Sequence, residues 1–192
     1  MEALSHLFSR IAGLWGSPQV DLFASRTSHQ LESYMTLKMD PEALAADAMV
    51  QNWSDFSLVY AFPPFCMIGR VLQKLRNHSC QMILIAPKWS MQPWHSSLLE
   101  LAMDFPILLP AKRDLLMNPQ GEFHPLSIQH KRFQLVAWRL SANSCDQKEF
   151  RKKLLNSYQI VGERALHMDM TGPGSALCAG VAKEGPIPFV AL

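Results

Sequence analysis

Charge is scarce in this chain of 192 residues: 18% are charged and the formal net charge is +2. The strongly basic balance that announces a nucleic-acid binder by itself is therefore missing. Long apolar runs are missing too. None approaches the roughly 20 residues a membrane span requires, and Leu4 to Trp15 is broken by Ser5, His6, Ser9 and Arg10, unlike a signal peptide. The expected setting is intracellular, cytoplasmic or nuclear, with no membrane partner. Cysteines number four, Cys66, Cys80, Cys145 and Cys178, too few and too widely spread for a secreted disulfide scaffold or a C-x-x-C pair. They read as free thiols in a reducing compartment.

The signatures of common chemistries are lacking as well. There is no G-x-S-x-G elbow, no H-E-x-x-H helix and no G-x-x-x-x-G-K-[ST] loop. The seven histidines, His124 and His130 among them, show no ligand spacing, so no metal is expected. A two-metal nuclease needs converging carboxylates, and Asp21, Asp47, Asp55, Asp104 and Asp114 supply the residue type without a recognisable pattern.

What is abundant is apolar. At 48% hydrophobic residues the chain can bury one proper core. Leu4, Leu7, Phe8, Ile11 and Leu14 fall at helical spacing, and the helix should stop before Pro18. Gln19 to Ala24 reads as a short buried strand with Asp21 as its odd member. Ala43, Leu44, Ala45, Ala46 and Met49 predict a short helix from Pro41 to about Val50, with Asp40 as N-cap. Ser57 to Phe62 is the next strand, ended by Pro63-Pro64, since proline cannot donate to a ladder. Ile68, Val71, Leu72 and Leu75 mark an amphipathic helix, and Met82 to Ala86 is a wholly apolar strand. Trp94, Leu98, Leu99 and Leu101 suit another helix; Phe105 to Leu109 and Gln134 to Leu140 are further strands, and Gln147 to Tyr158 a last helix. This alternation predicts an α/β sheet with helices on its faces. Gly162 to Leu192 is rich in glycine and proline with little periodicity, and predicts a loosely ordered tail.

Three segments fall at the ends of successive strands, where open α/β sheets place their ligands: Asp21 to Ser25, Tyr60 to Phe65, and Ala86 to Trp89. The middle one is the most informative. A strand running into Pro63-Pro64 and then Phe65 gives a rigid loop with an exposed carbonyl and a ring able to stack on a flat ligand, or else a stiff strand-ending turn with no further role.

Taken in order, Val20-Asp21-Leu22-Phe23-Ala24-Ser25, Tyr34, Asp40-Pro41, Asp47-Ala48, Trp53, Tyr60-Ala61-Phe62-Pro63-Pro64-Phe65, Ile68, Val71-Leu72, Pro87, Trp89 and Trp94 carry a resemblance. The chain from about Leu4 to Leu140 resembles the segment between the ribonuclease H and recombinase regions of DIRS-type, tyrosine-recombinase retrotransposon polyproteins. That segment is similar in turn to phage-type DNA adenine methyltransferases. The resemblance implies a Rossmann-like, methyltransferase-like domain over residues 1–141, followed over 142–192 by a short helix and an irregular C-terminal tail. It also implies S-adenosylmethionine as cofactor, nucleic acid as partner, and a parent polyprotein whose reverse transcriptase, ribonuclease H and recombinase activities lie outside this chain.

Residue by residue, the amino-methyltransferase loop is Asn or Asp, Pro, Pro, then Tyr or Phe, because the first side chain and the next carbonyl accept hydrogen bonds from the target amine while the aromatic stacks on the extruded base. Here the first position is Phe62, followed by Pro63, Pro64 and Phe65. Loss of one such group in an active site costs about 10²–10³ in rate. By the same resemblance Asp21, Phe23, Ala24 and Ser25 match the cofactor loop, with Ser25-Arg26 where many relatives have glycine, and Asp47 lies near the adenine or methionine end. Asp21 also has a plainer reading, a strand-end residue capping local amides, and Asp47 that of a solvated carboxylate. Trp89 and Trp94 are candidates to stack unpaired bases, against the alternative of core tryptophans. Lys148, Arg151, Lys152 and Lys153 form the densest basic run, able to touch phosphates or simply to face water. The expectation is a catalytically inactive pseudoenzyme acting as a nucleic-acid-binding or architectural module. The alternatives are a working DNA amino-methyltransferase and an element-derived fragment with no selected function.

Overall fold

The computed structural model describes residues 2–110, 133–162, 178–182 and 185–192; Asp114, His124 and His130, and residues 163–177 and 183–184 of the expected tail, lie outside the described residues. In chain order the elements are α1 (Glu2–Trp15), β1 (Val20–Ala24), β2 (Tyr34–Thr36), β3 (Ala45–Ala46), β4 (Leu58–Ala61), α2 (Ile68–Leu75), β5 (Gln81–Pro87), α3 (His95–Leu101), β6 (Ile107–Leu108), β7 (Leu135–Ser141), α4 (Ser144–Gly162), β8 (Cys178–Ala182), β9 (Gly185–Pro188) and β10 (Val190–Ala191). Eight strands form one sheet in the order β10-β6-β7-β5-β4-β1-β2-β3. Neighbours run parallel except that β7 is antiparallel to both β5 and β6. The run β3-β2-β1-β4-β5 follows the doubly wound order, so the chain is an α/β protein compatible with a Rossmann-like fold.

The period of two along each strand sorts the apolar residues into two layers. Val59 and Ala61 of β4 and Met82, Leu84 and Ala86 of β5 face α2 (Ile68, Val71, Leu72, Leu75), α3 (Leu98, Leu101) and α4 (Phe150, Leu154). Leu58, Tyr60, Ile83 and Ile85, one residue out of phase, face Ile11 and Trp15 of α1. A strand covered on both sides must be apolar on both sides, which is why Met82 to Ala86 is hydrophobic without interruption. The four apolar residues of α2 are buried, and each side chain so buried contributes about 1.5–3 kcal/mol. Helix α1 ends where its sequence says it should: Gly16 takes a positive φ of 95° and its amide donates to Ala12 O at 2.9 Å. This is a left-handed glycine cap just ahead of Pro18.

Two expectations are corrected. Residues 41–50 do not form a helix. Asp40 does cap the Glu42 amide at 3.0 Å, but the Leu44 amide donates to Tyr34 O at 2.8 Å and Ala45 and Ala46 pair with Met35 and Thr36 as a parallel edge strand. Ladder pairing with β2 outweighs the few tenths of a kcal/mol per residue that helix propensity offers an alanine-rich run. The tail is not irregular in its described parts either. Strands β8 and β9 pair as an antiparallel hairpin, and β10 joins β6 through the Val190 amide on Pro106 O at 2.9 Å. His95 Nε2 donates to Ala179 O at 2.7 Å, and Ile187 is fully buried. Phe150, Leu154, Ala179 and Ile187 lie in the same core as β4 and β5. The residues on either side of the expected boundary at 141 thus share one hydrophobic core.

Candidate functional site

Because β1 and β4 are adjacent and parallel, with Val20 opposite Val59 and Asp21 opposite Tyr60, the register carries Ala24 to the level of Pro63. The loop after β1 and the Pro63-Pro64 loop after β4 therefore share the carboxyl edge of the sheet, as does Lys88, which follows β5. Strand β7 is reversed, so its start, and with it Phe133, lies at that edge too: Leu135 pairs with Pro87 at the end of β5.

Two cavities open on the β1–β3 half of the edge. One, of about 130 Å³, is lined by Phe23, Ala24, Thr36, Asp47, Pro64 and Met67 among others. The other, a cleft of about 610 Å³, is lined by Ser25, Arg26, Thr27, Lys38, Asp40 and Pro41 among others. They have Ala24, Thr36 and Leu37 in common. Asp47 ends β3 with a left-handed φ of 48°, a conformation that costs a non-glycine residue about 1 kcal/mol or more. Its Oδ1 accepts the Met49 amide at 3.0 Å. The residues after β1 form a tight turn: Ser28 Oγ accepts the Ser25 amide at 3.0 Å and lies 2.8 Å from Ser25 Oγ. Arg26 bridges to Asp40 (3.3 Å) and Glu42 (2.9 Å) across the cleft mouth.

Asp21 lines neither cavity. It is 2% exposed on the α1 face of the sheet. Its Oδ1 accepts the Phe23 amide at 3.3 Å and its Oδ2 the Gln30 amide at 3.1 Å. Burial raises its carboxyl from 3.8 to about 6, against the opposing pull of those amides and of His29. The plainer of its two sequence readings, capping of local amides, describes the geometry: Asp21 ties the loop after β1 to β1 itself.

The other half of the edge is aromatic. Phe62 packs against the α1-side core with its centroid 6.3 Å from Phe65. Phe65 meets the Trp89 ring edge-on at 5.3 Å and lies 6.1 Å from Phe133, which is 6.3 Å from Trp89. All four rings are half-buried. Lys88 Nζ sits 4.6 Å from the centre of Phe189 beside them. The Pro63-Pro64 turn separates the halves, Pro64 lining the 130 Å³ cavity while Phe65 enters the ring cluster.

The structure does not bring the remaining predicted residues here. Trp94 packs against the α2-side core, 3.8 Å from where a side chain on Gly69 would begin. The basic run lies on α4, whose Asp146 meets Gln81 at the start of β5, on the opposite edge. Arg151 donates to Leu99 O at 2.7 Å and Lys153 pairs with Glu149 at 3.1 Å; Lys148 and Lys152 are exposed. Sequence reasoning missed Phe133, Thr36 and Leu37. Phe133 does precede an apolar run directly, but only the reversal of β7 puts it at this edge.

Among the described residues no helix is long and apolar enough to cross a membrane, and no group of three or more His, Cys, Asp or Glu could hold a metal ion. No family model matches the chain, and no curated protein matches it significantly.

Proposed function

We propose that this chain is a methyltransferase-like domain of retrotransposon descent that has lost catalysis and works as a nucleic-acid-binding module. The observation that carries the reading is the loop Pro63-Pro64-Phe65, in which Pro64 lines a cavity and Phe65 enters a ring cluster. A methyl-transferring site needs that division, cofactor on one side and target base on the other.

The cavities fit the adenosyl end of S-adenosylmethionine in kind. The smaller has apolar walls for a flat ring and the Asp47 carboxylate to accept from an amine; the larger offers hydroxyls and charges for the polar remainder. The cofactor would supply an electrophilic methyl group. This chain's own part would be to hold the base amine and draw its lone pair out of the ring, which takes acceptors. The Pro63 carbonyl is the acceptor left in the loop, in a residue that the fold buries and does not expose as its sequence suggested. Phe62 stands where the second belongs and adds an apolar ring, so the chain lacks half of that apparatus.

Calorimetric titration with S-adenosylmethionine and methyl incorporation from labelled cofactor test the reading together. The natural chain should bind the cofactor and transfer no methyl group to single-stranded or duplex DNA; Phe62→Asn should gain transfer by about 10² or more. Transfer by the natural chain would overturn the inactive reading in favour of a working DNA amino-methyltransferase. Absence of cofactor binding would remove the methyltransferase reading of the cavities.

A further inference from the structure

We propose that the ring cluster of Phe62, Phe65, Trp89 and Phe133 holds unpaired nucleobases by stacking alone, so that bases without an exocyclic amine, thymine and uracil, are taken as readily as adenine and cytosine. This rests on the nucleic-acid-binding reading above and adds the ligand class. The rings keep part of their surface in solvent at a loop-built edge, with centroids 5.3–6.3 Å apart. A base has two flat faces whatever its sequence identity, and stacking on aromatic side chains is correspondingly tolerant.

Two further observations narrow the ligand. The loops that carry the rings, residues 62–67, 88–94 and 133–134, contain the cation Lys88 and no carboxylate, and Arg70 follows in the first turn of α2. The β1–β3 half of the same edge carries Asp40, Glu42 and Asp47 against Arg26 and Lys38. The ring half thus carries a net positive charge and the β1–β3 half a net negative one, which favours an anionic backbone on the ring half. None of the four ring positions supplies a side-chain acceptor, which leaves the Pro63 carbonyl as the loop's means of sensing an amine. One net hydrogen bond separates partners by about tenfold at most, whereas each stacked base contributes at least about fivefold.

Fluorescence anisotropy on the natural protein, with labelled 12-mers of thymine, adenine and cytosine and an abasic strand of equal charge, tests this without any variant. Thymine should bind within about tenfold of adenine, and the abasic strand at least about fivefold more weakly than either. Phe65→Leu and Trp89→Leu, which keep apolar bulk, should weaken binding to base-bearing strands and leave abasic binding unchanged. Equal binding of the abasic strand, thymine weaker than adenine by more than tenfold, or duplex bound as tightly as single strand would each overturn the proposal. Failure of every strand to bind would overturn it along with the nucleic-acid reading. Cofactor titration would then report separately on the methyltransferase-like cavities.

Discussion

The two halves of the sheet's carboxyl edge are built on opposite principles. On the β1–β3 side, short strands and tight turns leave open space, and polar groups hold the loops: Asp21 spans two amides, Asp47 takes a strained φ, Arg26 bridges two carboxylates. On the β4–β5–β7 side, rings fill the space and polar side chains are scarce. The first half has the means to recognise hydrogen-bonding pattern, the second only shape and π surface. Phe62 belongs to the second half by packing, although under the proposed function its position in the loop is one of recognition. Under the proposed function, Phe62 in place of an acceptor would move the Pro63-Pro64 turn from amine chemistry to aromatic contact.

The largest test of that contrast compares a tryptophan of the core with one of the ring cluster. Trp53 is fully buried and its Nε1 donates to Ala48 O at 2.8 Å. Trp53→Ala should cost about 3–5 kcal/mol and leave a carbonyl without its donor. Trp89 is half-buried among rings, and Trp89→Ala should cost no more than about 1–2 kcal/mol, the scale of lost ring pairs. Urea unfolding of both variants measures this. Equal losses would mean that the ring cluster is core, as Trp53 is, and not a surface kept for a ligand.

A second test concerns how firmly charge is held in the polar half. Asp21 titrates at about 6 in the folded protein against 3.8 as its ordinary value, because burial penalises the carboxylate. The folded state holds the proton more tightly than the unfolded one. Stability from this group is therefore fully present below about pH 4 and is lost as pH rises through 6, by about 3 kcal/mol. The difference in unfolding free energy between the natural chain and Asp21→Asn, followed from pH 4 to 7, should move by that amount. A flat difference would show that the amides of Phe23 and Gln30 compensate the burial in full.

These halves were unequally legible in the sequence. Strands β1, β4, β5 and β7 and helices α1, α2 and α3 announce themselves because their apolar residues fall at helical spacing or in short apolar runs, and α1, β4 and β5 also end at glycine or proline. Strands β2 and β3 have three and two residues, too few to show a period. Ala45-Ala46 looks helical until its partner Thr36 is known. The glycine- and proline-rich segment after α4 gave no sign of pairing, since what orders β10 is the distant carbonyl of Pro106 and what docks β8 is His95. At the site, Pro63-Pro64 and Phe65 could be read directly, and Asp47 by resemblance. Phe133 could not, because its place depends on the direction of a strand, which is a property of the whole sheet.

The smallest expected effect lies away from the edge altogether. Lys148, Lys152 and Lys153 form the densest positive run, and composition alone would make them the first phosphate contacts to suspect. Their helix begins beside the start of β5, at the amino edge of the parallel strands, and Arg151 is turned inward onto the Leu99 carbonyl at 2.7 Å. Ala102, just past the end of α3, bridges to Leu140, opposite Met82 at the start of β5. The basic run is thus docked to the end of α3 remote from the rings. A strand stacked on Phe65 and Trp89 would have its phosphates near Lys88, which sits beside the rings, and α4 would contribute only a diffuse field, screened over a Debye length of about 8 Å at physiological salt. Replacing the three lysines by glutamine should change 12-mer affinity by no more than about twofold at that salt, with a larger change at low salt. A loss beyond tenfold at physiological salt would move the nucleic-acid path off the carboxyl edge and onto α4, and the comparison of the two halves would no longer describe where the ligand sits.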